Sequence, residues 1–142
     1  MNTGDILLVA GKDHEKKKDI LNIREQFSDK HISVLFGCGG DRDKGKRSKM
    51  GKIADKYADK IYLTDDNPRH ERPKKIRDEI KRGIKKRQII EISNRKEAIA
   101  KAINNLNTGD ILIVAGKGHE KIQQIGNRKV FLSDRQIILN SI

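Results

Sequence analysis

The sequence predicts an α/β domain of the Rossmann-like, three-layer kind with a mostly parallel sheet. Short apolar runs alternate with helical stretches of ten or more residues, the rhythm of strand–helix–strand units. In addition, polar segments rich in glycine or carrying proline fall directly after three of those runs. Loops at the carboxyl ends of parallel strands are where open α/β sheets bind ligands. The 142 residues suffice for one such domain with helices on both faces of its sheet.

Taken in order, Asn2 to Lys16 (NTGDILLVAGKDHEK) matches Asn107 to Lys121 (NTGDILIVAGKGHEK) at 13 of 15 positions. Structural repeats recur along a chain and diverge more than this, so a single near-identical copy reads as a duplicated segment. The expected division is that segment over 1–19 and the domain over 20–142. The sequence leaves open whether Asp5 to Ala10 joins the sheet. Ile32 to Phe36 is a buried strand, and a glycine-rich loop follows it. Met50, Ile53, Ala54, Tyr57 and Ala58 then fall on one helical face. Lys60 to Thr64 is the next strand, and Pro68 and Pro73 mark a loop. Ile76, Ile80 and Ile84 make a second helical stripe through Lys86. Gln88 to Ile92 is a third strand. Asn94 with Glu97 resembles a capping box, continued by Ala98, Ile99, Ala102, Ile103 and Leu106. The turn Asn107-Thr108-Gly109-Asp110 leads into strand Ile111 to Ala115. Val130 to Leu132 is a short final strand, with a helix from Asp134.

A net charge of +12 raises the question of nucleic acid. The cations are spread over the predicted helices, and Tyr57, Tyr62 and three Phe are too few and scattered to stack bases. Lysine and isoleucine each occur 21 times, a bias that fills surface positions with Lys. A solvated basic surface is therefore the expectation. The single cysteine, Cys38, excludes an internal disulfide and a Cys-rich zinc site, and reads as a small residue filling a tight loop. No apolar run approaches 18 residues, and Ile6 to Ala10 is followed at once by Lys12 and Asp13, so a soluble, cytoplasmic chain is expected.

The segment Gly37-Cys38-Gly39-Gly40-Asp41-Arg42-Asp43-Lys44-Gly45-Lys46-Arg47 and the run Asp65-Asp66-Asn67-Pro68-Arg69 carry the candidate chemistry. Together they offer the forks of Arg42 and Arg69, with the Asn67 amide and the Asp66 carboxylate between them. A guanidinium holds both oxygens of a carboxylate at once. The expected ligand is a small anion or zwitterion.

Phe36 to Met50, Asp66-Asn67-Pro68-Arg69 and Val114-Ala115-Gly116-Lys117-Gly118-His119-Glu120 resemble the C-terminal domain of the Mur ligase family, specifically its diaminopimelate-adding branch. The resemblance spans Ile20 to Ile142, with the motifs in the family's order. It implies ATP-dependent amide-bond formation in peptidoglycan precursor synthesis, with meso-diaminopimelate recognised through Asp66, Asn67, Pro68 and Arg69. By the same resemblance, Arg42, Asn67 and Arg69 would hold the distal carboxylate, and the Gly116 carbonyl and Glu120 would take the ammonium. His119 would shape its loop. ATP and magnesium belong, in that family, to a central P-loop domain. This sequence has no Gly-Thr-x-Gly-Lys-Thr run, so no cofactor is expected on this chain alone. The family's Asp-Tyr-Ala-His-Thr-Pro segment is also missing, and the duplicated stretch stands in its place. Three readings follow: a ligase-derived amino-acid-binding domain, either a fragment or a subunit working with a separately encoded ATP-binding portion; an inactive remnant that folds; and a basic nucleic-acid module.

Other signatures fail on their chemistry. Gly40-x-x-x-x-Gly45-Lys46-Arg47 lacks the magnesium-binding hydroxyl of a P-loop where Arg47 stands, and Asp41 and Asp43 would bring negative charge to the phosphates. Arg42 replaces the third glycine of a dinucleotide fingerprint. Neither His14-Glu15 nor His119-Glu120 has a second His at helical spacing, so no zincin site forms.

Overall fold

The computed structural model describes residues 4–9, 13–117 and 120–142. Its frame is a five-stranded, wholly parallel sheet in the order β1-β5-β2-β3-β4. The strands are β1 (Asp5–Val9), β2 (Ile32–Phe36), β3 (Lys60–Leu63), β4 (Gln88–Glu91) and β5 (Ile111–Ala115). The helices are α1 (Asp13–Gln26), α2 (Gly45–Tyr57), α3 (Pro73–Lys81), α4 (Arg95–Asn104) and α5 (Asp134–Ser141). A separate antiparallel hairpin, β6 (Ile122–Ile125) and β7 (Arg128–Phe131), precedes α5.

Alternation along the central strands divides the core into two layers. Val34, Phe36, Ile61, Leu63, Ile111, Ile113 and Ala115 face one side, packed with Ile20 of α1, Met50 and Ala54 of α2, and Ile76 and Ile80 of α3. Leu35, Tyr62, Leu112 and Val114 face the other, with Ala98, Ile99, Ala102 and Ile103 of α4 and Ile138 of α5. A sheet covered on both faces needs near-continuous apolar strands, and β2 and β5 are buried throughout. The expected three-layer, mostly parallel α/β fold is the one observed.

Several local expectations change. Asp5–Val9 does join the sheet, parallel to β5, with Asp5 opposite Ile111. The duplicated strand therefore lies beside its own copy, and the boundary expected at 19/20 falls inside α1. Helix α1 went unread because DHEKKKDILNIREQ carries few apolar residues. The final strand, expected over Val130 to Leu132, is one arm of the β6–β7 hairpin; β6 was missed because its polar Gln123 and Gln124 interrupt the apolar signal. Helix α3 stops at Lys81 rather than Lys86. The Asn94 side chain does cap α4, accepting from the Glu97 N–H at 3.0 Å. No described helix is long and apolar enough to cross a membrane.

Candidate functional site

Three loops meet at the carboxyl end of the sheet: those after β2, β3 and β5. The Gly40 N–H donates to the Asn67 carbonyl at 2.7 Å, and Arg69 Nη1 donates to the Gly40 carbonyl at 2.8 Å. A β-carbon on Gly40 would lie 1.8 Å from the Pro68 carbonyl oxygen, so only glycine permits this contact. Pro68 is buried there and acts as a brace. One β-carbon position on Gly39 would touch both Arg69 Nη1 (2.8 Å) and Arg42 Cγ (3.5 Å), so the Arg69 guanidinium and the stem of Arg42 both lie against that glycine.

Both loops carry a strained residue. Asp41 has φ 54° and Arg69 φ 50°, a left-handed conformation that costs a non-glycine residue about 1–2 kcal/mol. Strain of this kind persists only where surrounding contacts enforce it. For Arg69 the hairpin does so: its N–H donates to the Gln124 carbonyl at 3.0 Å, and its carbonyl accepts from Gly126. For Asp41, the N–H donates to Glu71 Oε2 at 2.6 Å.

Beneath these loops lies a charged scaffold. Arg47, on α2, is fully buried and donates to Glu71, to Glu79 at 2.6 Å and to the Gly39 carbonyl at 3.0 Å. Those Arg47 bonds, joined by the Asp41 N–H, hold the Glu71 carboxyl down at about 2. Arg77 binds Asp65 and Glu91, and Ser93 Oγ donates to Asp65 at 2.6 Å. Asp65 is thereby fixed as a structural residue. Arg95 has no exposed side-chain surface; it pairs with Asp134 at 2.7 Å and donates to the Ala115 carbonyl at 3.1 Å. Its Nη1 also reaches the Asp65 carbonyl at 3.3 Å, joining the loops after β3 and β5. His70 bridges Asp41 and Asn127 Oδ1, both at 2.9 Å, and these two acceptors raise its pKa.

The remaining expected residues gather around one lysine. Lys117 is buried, and its Nζ donates to Asn67 Oδ1 at 2.8 Å and to the Ile122 carbonyl at 2.9 Å. It lies 3.3 Å from Asp66 Oδ1 and 3.8 Å from Glu120 Oε2. Asp66 therefore differs from expectation. Its carboxylate is drawn by charge to Lys117 and toward Gly116, where a β-carbon would lie 3.2 Å from Asp66 Oδ2. Gly116 has φ +122°, which a side chain would rarely tolerate. Glu120 is 60% exposed. Asn67 Oδ1 also accepts from the Gln124 N–H at 3.0 Å. Among the described residues, the Asn67 NH2, the Arg42 guanidinium, and Nε and Nη2 of Arg69 have no hydrogen-bond partner. Gly118 and His119 lie outside the described residues.

Seven predicted positions thus cluster: Arg42, Asp66, Asn67, Pro68, Arg69, Gly116 and Glu120. Sequence reasoning assigned no role to Lys117, although it stands inside the Gly116-Lys117-Gly118 motif. It also missed Gln123, whose side-chain NH2 holds the Asp66 carbonyl at 2.7 Å. No signal for Gln123 existed without the hairpin. The described residues hold no cluster suited to a metal ion.

The fold is a Rossmann-like α/β domain whose strand-end loops bring cations, an amide and carboxylates together at one edge of a parallel sheet. The sequence profile of the family "Mur ligase, glutamate ligase domain" matches residues 13–118, and the chain belongs to that family. It is 58% identical over 124 residues to the UDP-N-acetylmuramoyl-L-alanyl-D-glutamate--2,6-diaminopimelate ligase of Rickettsia rickettsii, covering 87% of this chain and 26% of that protein. Against the ligase of the same name from Buchnera aphidicola, identity is 51% over 123 residues, covering 85% and 24%. A solved structure of such a ligase superimposes with a TM-score of 0.85 at 33% identity, over 100% of this chain and 30% of that one. A murein peptide ligase from Psychrobacter arcticus shares the fold, with a TM-score of 0.61 at 13% identity. The chain spans about a quarter of the length of the curated relatives it matches.

Proposed function

We propose that this chain is the amino-acid-binding, C-terminal domain of a meso-diaminopimelate-adding ligase. In that reaction ATP phosphorylates a carboxylate of a UDP-linked peptide, and the amino acid's amino group attacks the acyl phosphate. Presenting that amine in line is a positioning task, and positioning can supply about 7–11 kcal/mol of a barrier. Arg42, Arg69 and the Asn67 NH2 hold the distal carboxylate; the Gly116 carbonyl and Glu120 take the ammonium. Asp66 and Pro68 act from behind, Asp66 through Lys117 and Pro68 through Gly40.

The observation that carries this reading is that Gly39 has Arg69 Nη1, the stem of Arg42 and the Asn67 backbone carbonyl around it, which brings the loops after β2 and β3 together. Phosphoryl transfer needs a phosphate-binding loop and magnesium, so the ATP-binding portion lies outside these residues, in the same protein or in a separate chain. By themselves, these residues neither hydrolyse ATP nor form an amide. The 13-of-15 match between Asn2–Lys16 and Asn107–Lys121 favours a second reading, a folded remnant with no part in ligation. A neighbouring reading frame for the ATP-binding portion would argue against that.

Calorimetry with meso-diaminopimelate and L-lysine tests the reading. Both ligands share one amino-acid end, but only diaminopimelate has a carboxylate at the other. Charge-assisted hydrogen bonds of about 1.5–3 kcal/mol each give an expected preference above about tenfold. Arg69→Ala abolishes it, and Arg69→Lys does not restore it, because a point charge cannot form the fork. Equal binding of both amino acids by the unaltered chain would end this assignment.

A further inference from the structure

The amide of Asn67 has two possible orientations, one presenting its NH2 to a ligand and the other its oxygen. Its surroundings decide between them. Oδ1 accepts from Lys117 Nζ at 2.8 Å and from the Gln124 N–H at 3.0 Å. An amide oxygen has two lone pairs, so both are occupied. Turning the amide over would set its NH2 against an ammonium and an N–H at hydrogen-bonding distance. Lys117 in turn is saturated. Its three protons face Asn67 Oδ1, the Ile122 carbonyl and Asp66 Oδ1, the last at 3.3 Å. Its side chain has no exposed surface, so leaving these partners would strand a buried cation.

We propose that Lys117 is the positioning residue that makes this pocket read a carboxylate and reject an ammonium. It does so by fixing Asn67 as a donor. Resting on the assignment of Asp66 to Arg69 as the amino-acid site, the proposal gives Lys117 no contact with the ligand. Arg42 and Arg69 can only donate, and Asn67 could have been the one ambivalent member of the set. Once its oxygen is tied down, all three groups are donors, and the cationic end of L-lysine finds no acceptor among them. Asp66 supports the arrangement by balancing the Lys117 charge, since an unpaired buried cation is costly.

The test combines a ligand-free signal with a binding cycle. In the 1H–15N spectrum of the wild-type chain, the Asn67 side-chain NH2 gives one sharp pair of resonances. In Lys117→Met, these move and broaden as the amide turns. Calorimetry with meso-diaminopimelate and L-lysine is then run on wild type, Lys117→Met, Asn67→Ala and the double variant. Lys117→Met lowers the diaminopimelate preference by about tenfold. In the Asn67→Ala background the same change alters the preference less than about twofold, because coupled residues are not additive. An unmoved Asn67 signal would overturn the proposal, as would a retained preference in a folded Lys117→Met chain or an equal loss in both backgrounds. If Lys117→Met does not fold, Asp66→Asn with Lys117→Met removes the stranded carboxylate and is read the same way. A wild-type chain with no preference would sink the amino-acid assignment and the specificity claim together, while the Asn67 signal still reports separately on the amide.

Discussion

Gly40→Ala tests whether the glycine-rich loop and the Asp66–Arg69 loop form one rigid site. The added methyl would stand 1.8 Å from the Pro68 carbonyl oxygen and 2.6 Å from its carbon. Real β-carbons essentially never come within 3.0 Å, so the loops must part by at least about 1.2 Å, the difference between 3.0 and 1.8 Å. Backbone on both sides leaves no flexible side chain to absorb that. Two bonds span the junction: Gly40 N–H to the Asn67 carbonyl at 2.7 Å, and Arg69 Nη1 to the Gly40 carbonyl at 2.8 Å. A neutral bond contributes about 1 kcal/mol and one to a charged group about 1.5–3, so their loss predicts a destabilisation of about 2.5–4 kcal/mol. Urea denaturation measures it, and calorimetry should show diaminopimelate binding weakened with it. Gly126→Ala is the control. It meets no atom within 4 Å but has φ +60°, so it should cost only the left-handed strain of about 1–2 kcal/mol. A Gly40→Ala chain within about 0.5 kcal/mol of wild type, with unchanged binding, would refute the reasoning.

Two further variants probe the charged scaffold. Arg95→Met strands the fully buried Asp134 carboxylate and should cost about 3–5 kcal/mol in urea, with much of that recovered by adding Asp134→Leu; no cost in the single variant would show the pair to be dispensable. Glu71→Gln should change the acid limb of stability. The folded-state pKa of Glu71 is held at about 2 against an ordinary 4.5, so its contribution is present above pH 4.5 and lost as pH falls toward 2. Comparison of denaturation midpoints from pH 6 to about 2 should show the wild-type advantage shrinking in that window; parallel curves would rule out the Arg47–Glu71 pair as its source.

Much of the site was legible because its chemistry is local in sequence. Arg42 and the Asp66–Arg69 run each follow an apolar strand, and parallel strands deliver their carboxyl ends to one edge. Gly116 and Glu120 follow β5, which the sheet order sets next to β2. The orientation of Asp66 was not legible. Its partner Lys117 is 51 positions away, so the sequence around Asp66, with Arg69 three residues on, gives no sign of that pairing. Nor could the fixed face of the Asn67 amide be read, since it depends on Lys117 and on a hairpin whose strands are only four residues each.

The sequence by itself determined the parallel α/β frame, because strands buried on both faces must be apolar throughout. It also determined which loops carry arginine, amide and glycine. Tertiary structure alone decided that the duplicated segment becomes an edge strand beside its copy. Periodicity can say that Asp5–Val9 is able to form a strand, but not where a vacant sheet edge exists. Tertiary structure also decided which face the Asn67 amide turns outward, because its oxygen is held by Lys117 and the Gln124 N–H. Hydrogen-bond orientation is set by whichever oxygens and N–H groups surround a side chain in space, and here they come from the loop after β5 and the hairpin beyond it.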